Sequence, residues 1–326
     1  MAFDLVVFNK QVYIATTELV AQQVQLFNAA SAGAITLASI SDNMGDFAME
    51  ASFKQIAGLV RRRDVYNGSN DVASVRLTHL QNNTVKVPSG TPPVDFEQAQ
   101  YNWILQNPAL AASMIGQQLA VATLQDMLNT AISAAVAAIS AETSVNYAAS
   151  GTLAFGDLVR GAGKFGDRQG ALAAWVMHSK SMTDLWANAV TNNEKLFVYG
   201  TVSVLRDPFG RLFVMTDSDS LVATTTTSDE PPVTTTKYKV LGLVPGAIMV
   251  EQNPDFDSYM QRSTGKENIQ NSYQAEWSYN LGLYGYSWDI TAGGKAPTNA
   301  SIATSANWER TSTDIKDTAG VLITAS

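Results

Sequence analysis

One stretch constrains this chain more than any other. Residues 109–141 contain no proline, one glycine (Gly116) and one charge (Asp126). Asn107-Pro108 stands directly before it. Asparagine suits an N-cap, and proline suits the first helical position, where its missing N–H costs nothing. Leu110, Met114, Val121, Leu124, Leu128, Ile132, Val136 and Ile139 fall on a stripe of helical period. Eleven alanines favour helix and let neighbours come close. At ~1.5 Å per residue the stretch makes a rod of about 50 Å, longer than a small domain is wide. A rod with one charge is poorly suited to open water. The sequence predicts a spine helix covered on several sides.

Composition says what covers it. The chain has 326 residues, 46% of them hydrophobic, which suits about two domains and excludes wholesale disorder. Only 15% are charged, where ~25% is usual for soluble domains. So little charge points to a surface that meets other protein. The net charge of −8 argues against a dedicated nucleic-acid binder, which needs a basic field. The absence of cysteine removes disulfides, thiolate metal sites and thiol nucleophiles, and fits a reducing compartment. The first residues lack a basic n-region and carry Asp4 in their apolar stretch, so no secretory signal is expected. The most apolar run, residues 131–139, is too short to span a bilayer, and no membrane is expected. Without a signal, the glycosylation patterns at Asn67, Asn82 and Asn299 read as chance.

Along the chain, residues 10–30 read as an amphipathic helix and 35–40 as a short strand. Residues 72–80 and 84–87 read as strands about a turn at Gln81-Asn82-Asn83, and Pro88, Gly90, Pro92 and Pro93 should stop regular structure. This excursion has few large apolar side chains. So long and core-poor a loop needs a job, such as lying across a neighbouring subunit. A Gly-punctuated helix at 153–165, a strand at 171–177 and a helix at 181–190 suggest a mixed α/β part. Asp207-Pro208-Phe209-Gly210 predicts a hairpin between 202–205 and 212–215, and Pro245-Gly246 predicts a second between 238–244 and 247–250. The threonine-rich residues 224–236 read as a mobile surface loop. In the last strand Tyr273, Ala275, Trp277, Tyr279, Leu281 and Leu283 share one face, and Gln274, Glu276, Ser278 and Asn280 the other. Trp308 and Val321-Leu322-Ile323 should anchor a polar C-terminal segment.

Catalytic constellations are missing. The two histidines, His79 and His178, have no companions at ligand spacing, and His178 reads as a structural strand-end residue. No G-x-S-x-G elbow is present. Gly161-Ala-Gly163-Lys-Phe-Gly166, with Asp184 downstream, matches G-x-G-x-x-G. A helix precedes it where a strand is required, so it reads as glycine-rich helix termination. Asp217-Ser-Asp219 and Asp255-Phe-Asp257 lack the glycine and distal glutamate of a calcium loop. Arg61-Arg62-Arg63 is the strongest basic cluster, better suited to carboxylates on this chain or the next than to phosphates. No catalytic, cofactor-binding or metal residue is assigned.

The order of elements, with seven local runs, resembles the major capsid proteins of tailed bacteriophages. The runs are Arg61-Arg62-Arg63-Asp64-Val65, Val85-Lys86-Val87, Asn107-Pro108, Trp175-Val-Met-His178-Ser, Arg206-Asp207-Pro208-Phe209-Gly210-Arg211, Leu241-Gly-Leu-Val-Pro-Gly246-Ala247-Ile248, and Leu281-Gly-Leu-Tyr-Gly-Tyr-Ser-Trp288-Asp289. They are colinear over most of the chain. The resemblance implies an α+β Johnson fold with an N-terminal arm (1–60) and an extended β-hairpin loop (61–96). It also implies a peripheral domain with the spine helix (97–146 and 238–270), and an axial domain with the C-terminal segment (147–237 and 271–326). It implies a non-enzymatic head protein that self-assembles, as pentamers and hexamers, into an icosahedral shell in the virion. The shell would enclose double-stranded DNA without sequence-specific binding and would be assembled in the host cytoplasm. Expected partners are a separate scaffolding protein, since little chain precedes the spine, then a portal protein and a decoration protein. The alternative is another virion part, a tail or decoration component, which the threonine-rich loop and late β content permit.

Overall fold

In the computed structural model, residues 5–38, 47–53, 60–63, 65–66, 68, 71–76, 79–191, 210–226, 234–265 and 267–326 are described. The chain opens with α1 (Leu5–Ala30) and β1 (Ile35–Ala38), then β2 (Phe47–Phe53), β3 (His79–Gly90) and β4 (Val94–Phe96). Two helices follow, α2 (Gln98–Gln106) and α3 (Pro108–Ser140). Next come β5 (Asn146–Ala148), α4 (Phe155–Gly163), β6 (Ala174–Met177), α5 (Ser179–Thr191), β7 (Leu212–Met215), β8 (Val222–Thr226) and β9 (Thr234–Leu243). The last elements are β10 (Ile248–Gln252), β11 (Asp257–Ser263), β12 (Gln270–Leu283), β13 (Tyr286–Trp288), α6 (Ile290–Gly293), α7 (Asn299–Ile302), β14 (Trp308–Arg310) and β15 (Gly320–Ala325).

α3 is the spine the sequence predicts, 33 residues long. Its two halves are buried differently. Near the C-terminus Thr130, Ala131, Ile132 and Ala134 through Ile139 are all buried. There the helix touches β10, β12 and β14 of one sheet and β9 and β15 of the other, so the core lies where α3 runs between them. The N-terminal half is covered chiefly by α1. Small residues make that contact: Ala111, Ala112, Gly116 and Ala120 are buried, as are Val12 and Thr16 of α1. Leu110, Met114 and Val121, expected on the buried stripe, point outward and are exposed. Close helix packing selects small residues and leaves the bulky ones on the free side. Asn107 links α2 to α3 and makes no side-chain cap bond. By length and composition α3 could cross a membrane, contrary to the expectation from its most apolar run. However, 56% of its most apolar window is buried inside the fold, as in a core helix.

One sheet has nine strands in the order β1-β10-β12-β13-β14, with β11, β3 and β4 also paired to β12, and β2 paired to β3. β12 is its axis. Tyr273, Ala275, Trp277, Tyr279, Leu281 and Leu283 are all buried on the face toward α3. On the other face Gln274 and Glu276 are exposed, while Ser278 and Asn280 are buried under Asn253, which bonds both. The second sheet has six strands in the order β5-β15-β9-β6-β7, with β8 paired to β9. β15, including Val321-Leu322-Ile323, runs between β5 and β9.

Several expectations change. Gln81-Asn82-Asn83 is not a turn: β3 runs straight through it, and its antiparallel partner is β2, pairing Phe53 with His79. The ladder across β2 outweighs the turn preference of two asparagines. β3 also continues through Pro88 to Gly90 against β12. No described strand flanks β3 on its other side there, and an edge tolerates proline. Pro245-Gly246 does form a turn, with Gly246 at φ 68° and Ala247 N–H donating to the Val244 carbonyl. It joins the two sheets instead of closing a hairpin. β9 is already paired to β15, β6 and β8, and β10 to β1 and β12. The threonines at 224–226 and 234–236 form the β8–β9 ladder, because β-branched residues favour extended backbone. The hairpin expected at 202–215 falls largely outside the described residues; β7 pairs in parallel with β6. The sheets also regroup the chain. β9 joins the strands of 146–226, and β12 joins those of 248–263.

Candidate functional site

The residues that could carry chemistry are used in packing. His178 Nδ1 accepts from the Lys180 N–H (3.1 Å), its Nε2 lies 3.6 Å from Asp217, and its ring meets Tyr238. Hydrogen bonds from Ser179 hold the Asp217 carboxyl below the usual carboxylate range. Gly161 of the glycine-rich run sits in α4, where a Cβ would lie 2.3 Å from Ile323 Cδ1. That glycine lets α4 lie against β15, and Asp184 downstream pairs with Lys180. Among the described residues no three His, Asp or Glu side chains gather as a metal group. His79 lies in β3 opposite Phe53.

Two carboxylates fasten the nine-stranded sheet. Asp126, the lone charge of α3, accepts from Ser89 Oγ (2.9 Å) and from the Tyr279 hydroxyl (3.0 Å). Burial pushes the Tyr279 phenol well above its ordinary pKa, and the Asp126 charge adds to that. Asp255 accepts from the backbone and side chain of Ser278 and pairs with Lys86 at 3.0 Å. Burial pushes its pKa up, but the bonds from Ser278 and Lys86 outweigh this and hold it below the usual range. The signal for Asp126 was visible in sequence: a single charge in an apolar helix needs partners. Its partners, 37 and 153 positions away, were not.

What remains open is surface. Val60 is 90% exposed and Tyr66 99%, with Val65, Val72 and Val75 also exposed along the segment that follows β2. Arg61, Arg62 and Arg63 are exposed beside them. Trp103 and Leu105 of α2 are exposed too, as are Leu110, Met114 and Val121 of α3. A monomer that leaves this much apolar surface open is built to meet other protein.

A long helix between two sheets, an N-terminal helix laid along it and a two-stranded extension with an open far segment are the architecture of a viral head shell subunit. The sequence matches the Gp13-like family, described as major capsid protein 13-like, over residues 4–322, and the chain belongs to that family. Solved structures agree on the fold. The head structure of Helicobacter pylori bacteriophage KHP40 superposes with a TM-score of 0.53 at 10% identity, covering 92% of this chain and 88% of that chain. The capsid of H. pylori bacteriophage KHP30 gives 0.51 at 10% identity, covering 90% and 88%. The capsid of cyanophage Pam1 gives 0.51 at 9% identity, covering 89% and 88%. No curated protein sequence matches the chain. The protein is a phage head shell protein of the virion, with the α+β Johnson fold, and the shell is assembled from many copies of it.

Proposed function

We propose that this head protein forms pentamers and hexamers that close into an icosahedral shell around the double-stranded DNA of a tailed phage. The observation that carries the reading is the set of exposed apolar side chains in one chain, Val60, Val65, Tyr66, Val72 and Val75 after β2 and Leu110, Met114 and Val121 on α3. Burying such area between copies contributes ~25 cal/mol per Å² before ordering costs. Many modest contacts then give cooperative closure.

The sheets support a division by packing. α1, α3 and the nine-stranded sheet make the peripheral body; the six-stranded sheet with α4 and α5 makes the axial one. The β2–β3 ladder belongs to the extended loop, with the N-terminal arm before it. The net charge of −8 suits a container that does not grip its polyanion. The protein's output is association, with no catalytic step. Proposed partners are a separate scaffolding protein, a portal protein and a decoration protein, with assembly in the host cytoplasm. Expression alone and with its scaffold should yield particles tens of nanometres across by negative stain. Sedimentation showing only small species under all assembly conditions overturns the reading.

A further inference from the structure

The outer face of the nine-stranded sheet carries carboxylates with no paired cation among the described residues, though Glu276 Oε1 accepts from Gln274 Nε2 at 3.3 Å. Register places Asp257 of β11 directly opposite Glu276 of β12, and Tyr259 opposite Gln274. All four are exposed. Directly opposed side chains share a face, and like charges there destabilise the sheet. Asp95 of β4, opposite Ser272, lies on the same face. Among the described residues no Lys or Arg pairs with Asp95, Asp257 or Glu276; Lys86 is taken by Asp255. Beside Glu276 opens a cleft of about 540 Å³, walled also by Ser89, Thr91, Pro92 and Gln274, with the Lys86–Asp255 pair in its wall. Two carboxylates with an exposed ring alongside (Tyr259 is 68% exposed) are the chemistry that receives a guanidinium. The carboxylates accept its fork of N–H donors, and the ring stacks on its plane.

The chain carries a matching group. Arg61, Arg62 and Arg63 form its densest positive run, stand exposed, and pair with no carboxylate among the described residues. They belong to the connection between β2 and β3. β3 meets β12 at Gly90–Glu276 and meets β2 as far as His79–Phe53. At ~3.3 Å per residue, His79 lies about 36 Å along the strand from Gly90. The ladder therefore carries the base of the arginine segment away from its own acidic face.

We propose that Arg61-Arg62-Arg63 of one copy docks on the Asp257–Glu276 face of a neighbouring copy. The inference rests on the shell reading above and names one of its contact surfaces. The chain has no cysteine, so a disulfide trap is clean. Particles carrying Arg62→Cys with Glu276→Cys, oxidised, should run as multimers on a non-reducing gel, and neither single variant should. Separately, Arg61→Glu/Arg62→Glu/Arg63→Glu and Asp257→Lys/Glu276→Lys should each cut particle yield at least tenfold with the subunit melt unchanged. Combining the two sets should restore yield to within about threefold of the wild type. Well-formed double-cysteine particles that stay monomeric on the gel overturn this docking and leave the shell reading intact. So does a combined charge swap no better than its parts. Absence of particles from the unaltered protein overturns both.

Discussion

Gly116 of α3 lies so close to α1 that a Cβ added there would sit 2.9 Å from Ala15 Cβ and 3.3 Å from the Val12 carbonyl oxygen. Thr16 Oγ1 reaches the Gly116 carbonyl at 3.5 Å. The two helices therefore touch backbone to backbone at this point. On an exposed helix Gly→Ala gains about 1 kcal/mol from propensity. Here overpacking, at about 1–3 kcal/mol, opposes it and wins. Gly116→Ala should lower subunit stability in chemical denaturation, and Gly116→Leu should lower it further. Gly116→Ala at or above wild-type stability would mean that α1 is not seated on the spine.

Asp126 should matter beyond its size. Asp126→Ala takes the acceptor from Ser89 and Tyr279 and leaves both hydroxyls with less than they need. A loss of about 2 kcal/mol is expected. Urea denaturation checks it, and Asp126→Asn, which keeps one acceptor oxygen, should lose less.

Alkali should unfold the subunit through its buried phenols. Burial pushes the Tyr286 pKa up to about 12 and raises that of Tyr279 as well, against ~10 in an unfolded chain. A raised folded pKa means stability is complete below about pH 10 and falls as pH rises through the folded value. Stability should drop steeply between about pH 10 and 12. Tyr279→Phe should flatten that fall, as read by denaturation at a series of alkaline pH values.

Acid acts on Asp255 in the opposite sense. Its folded pKa is depressed, so its contribution is present above the unfolded value of ~3.9 and lost as pH falls through the folded one. The side chain is 39% exposed, and solvent screens the Lys86 pair, so the effect should stay within about 1 kcal/mol. Asp255→Asn should lie below the wild type near neutral pH and converge with it in acid. Parallel curves would remove Asp255 from the acid response.

The spine and the alternation along β12 were legible in sequence because each depends on neighbours in the chain. A proline-free alanine-rich run has one good local conformation, and a period of two has one good backbone. The same rules misread Gln81-Asn82-Asn83 and the threonine runs. For the asparagines, strand β2, about thirty positions earlier, supplies the hydrogen bonds that override local turn preference, and for the threonines the two runs pair with each other as β8 and β9. The stripe of α3 faces the core at Ile132, Val136 and Ile139, as expected, but turns outward at Leu110, Met114 and Val121. Periodicity shows that an apolar face exists, and only packing shows which residues it is turned toward.

The amino-acid order alone determined that this chain holds a long rod with a single charge and carries few charges for its size. These follow from composition and short-range pattern. Tertiary structure decided that Pro245-Gly246 passes between sheets, that Gly116 lets two helices meet, and that Asp257 faces Glu276 across strands. Such facts depend on which distant segments pair, and pairing free energy is shared among many weak contacts that no local window contains.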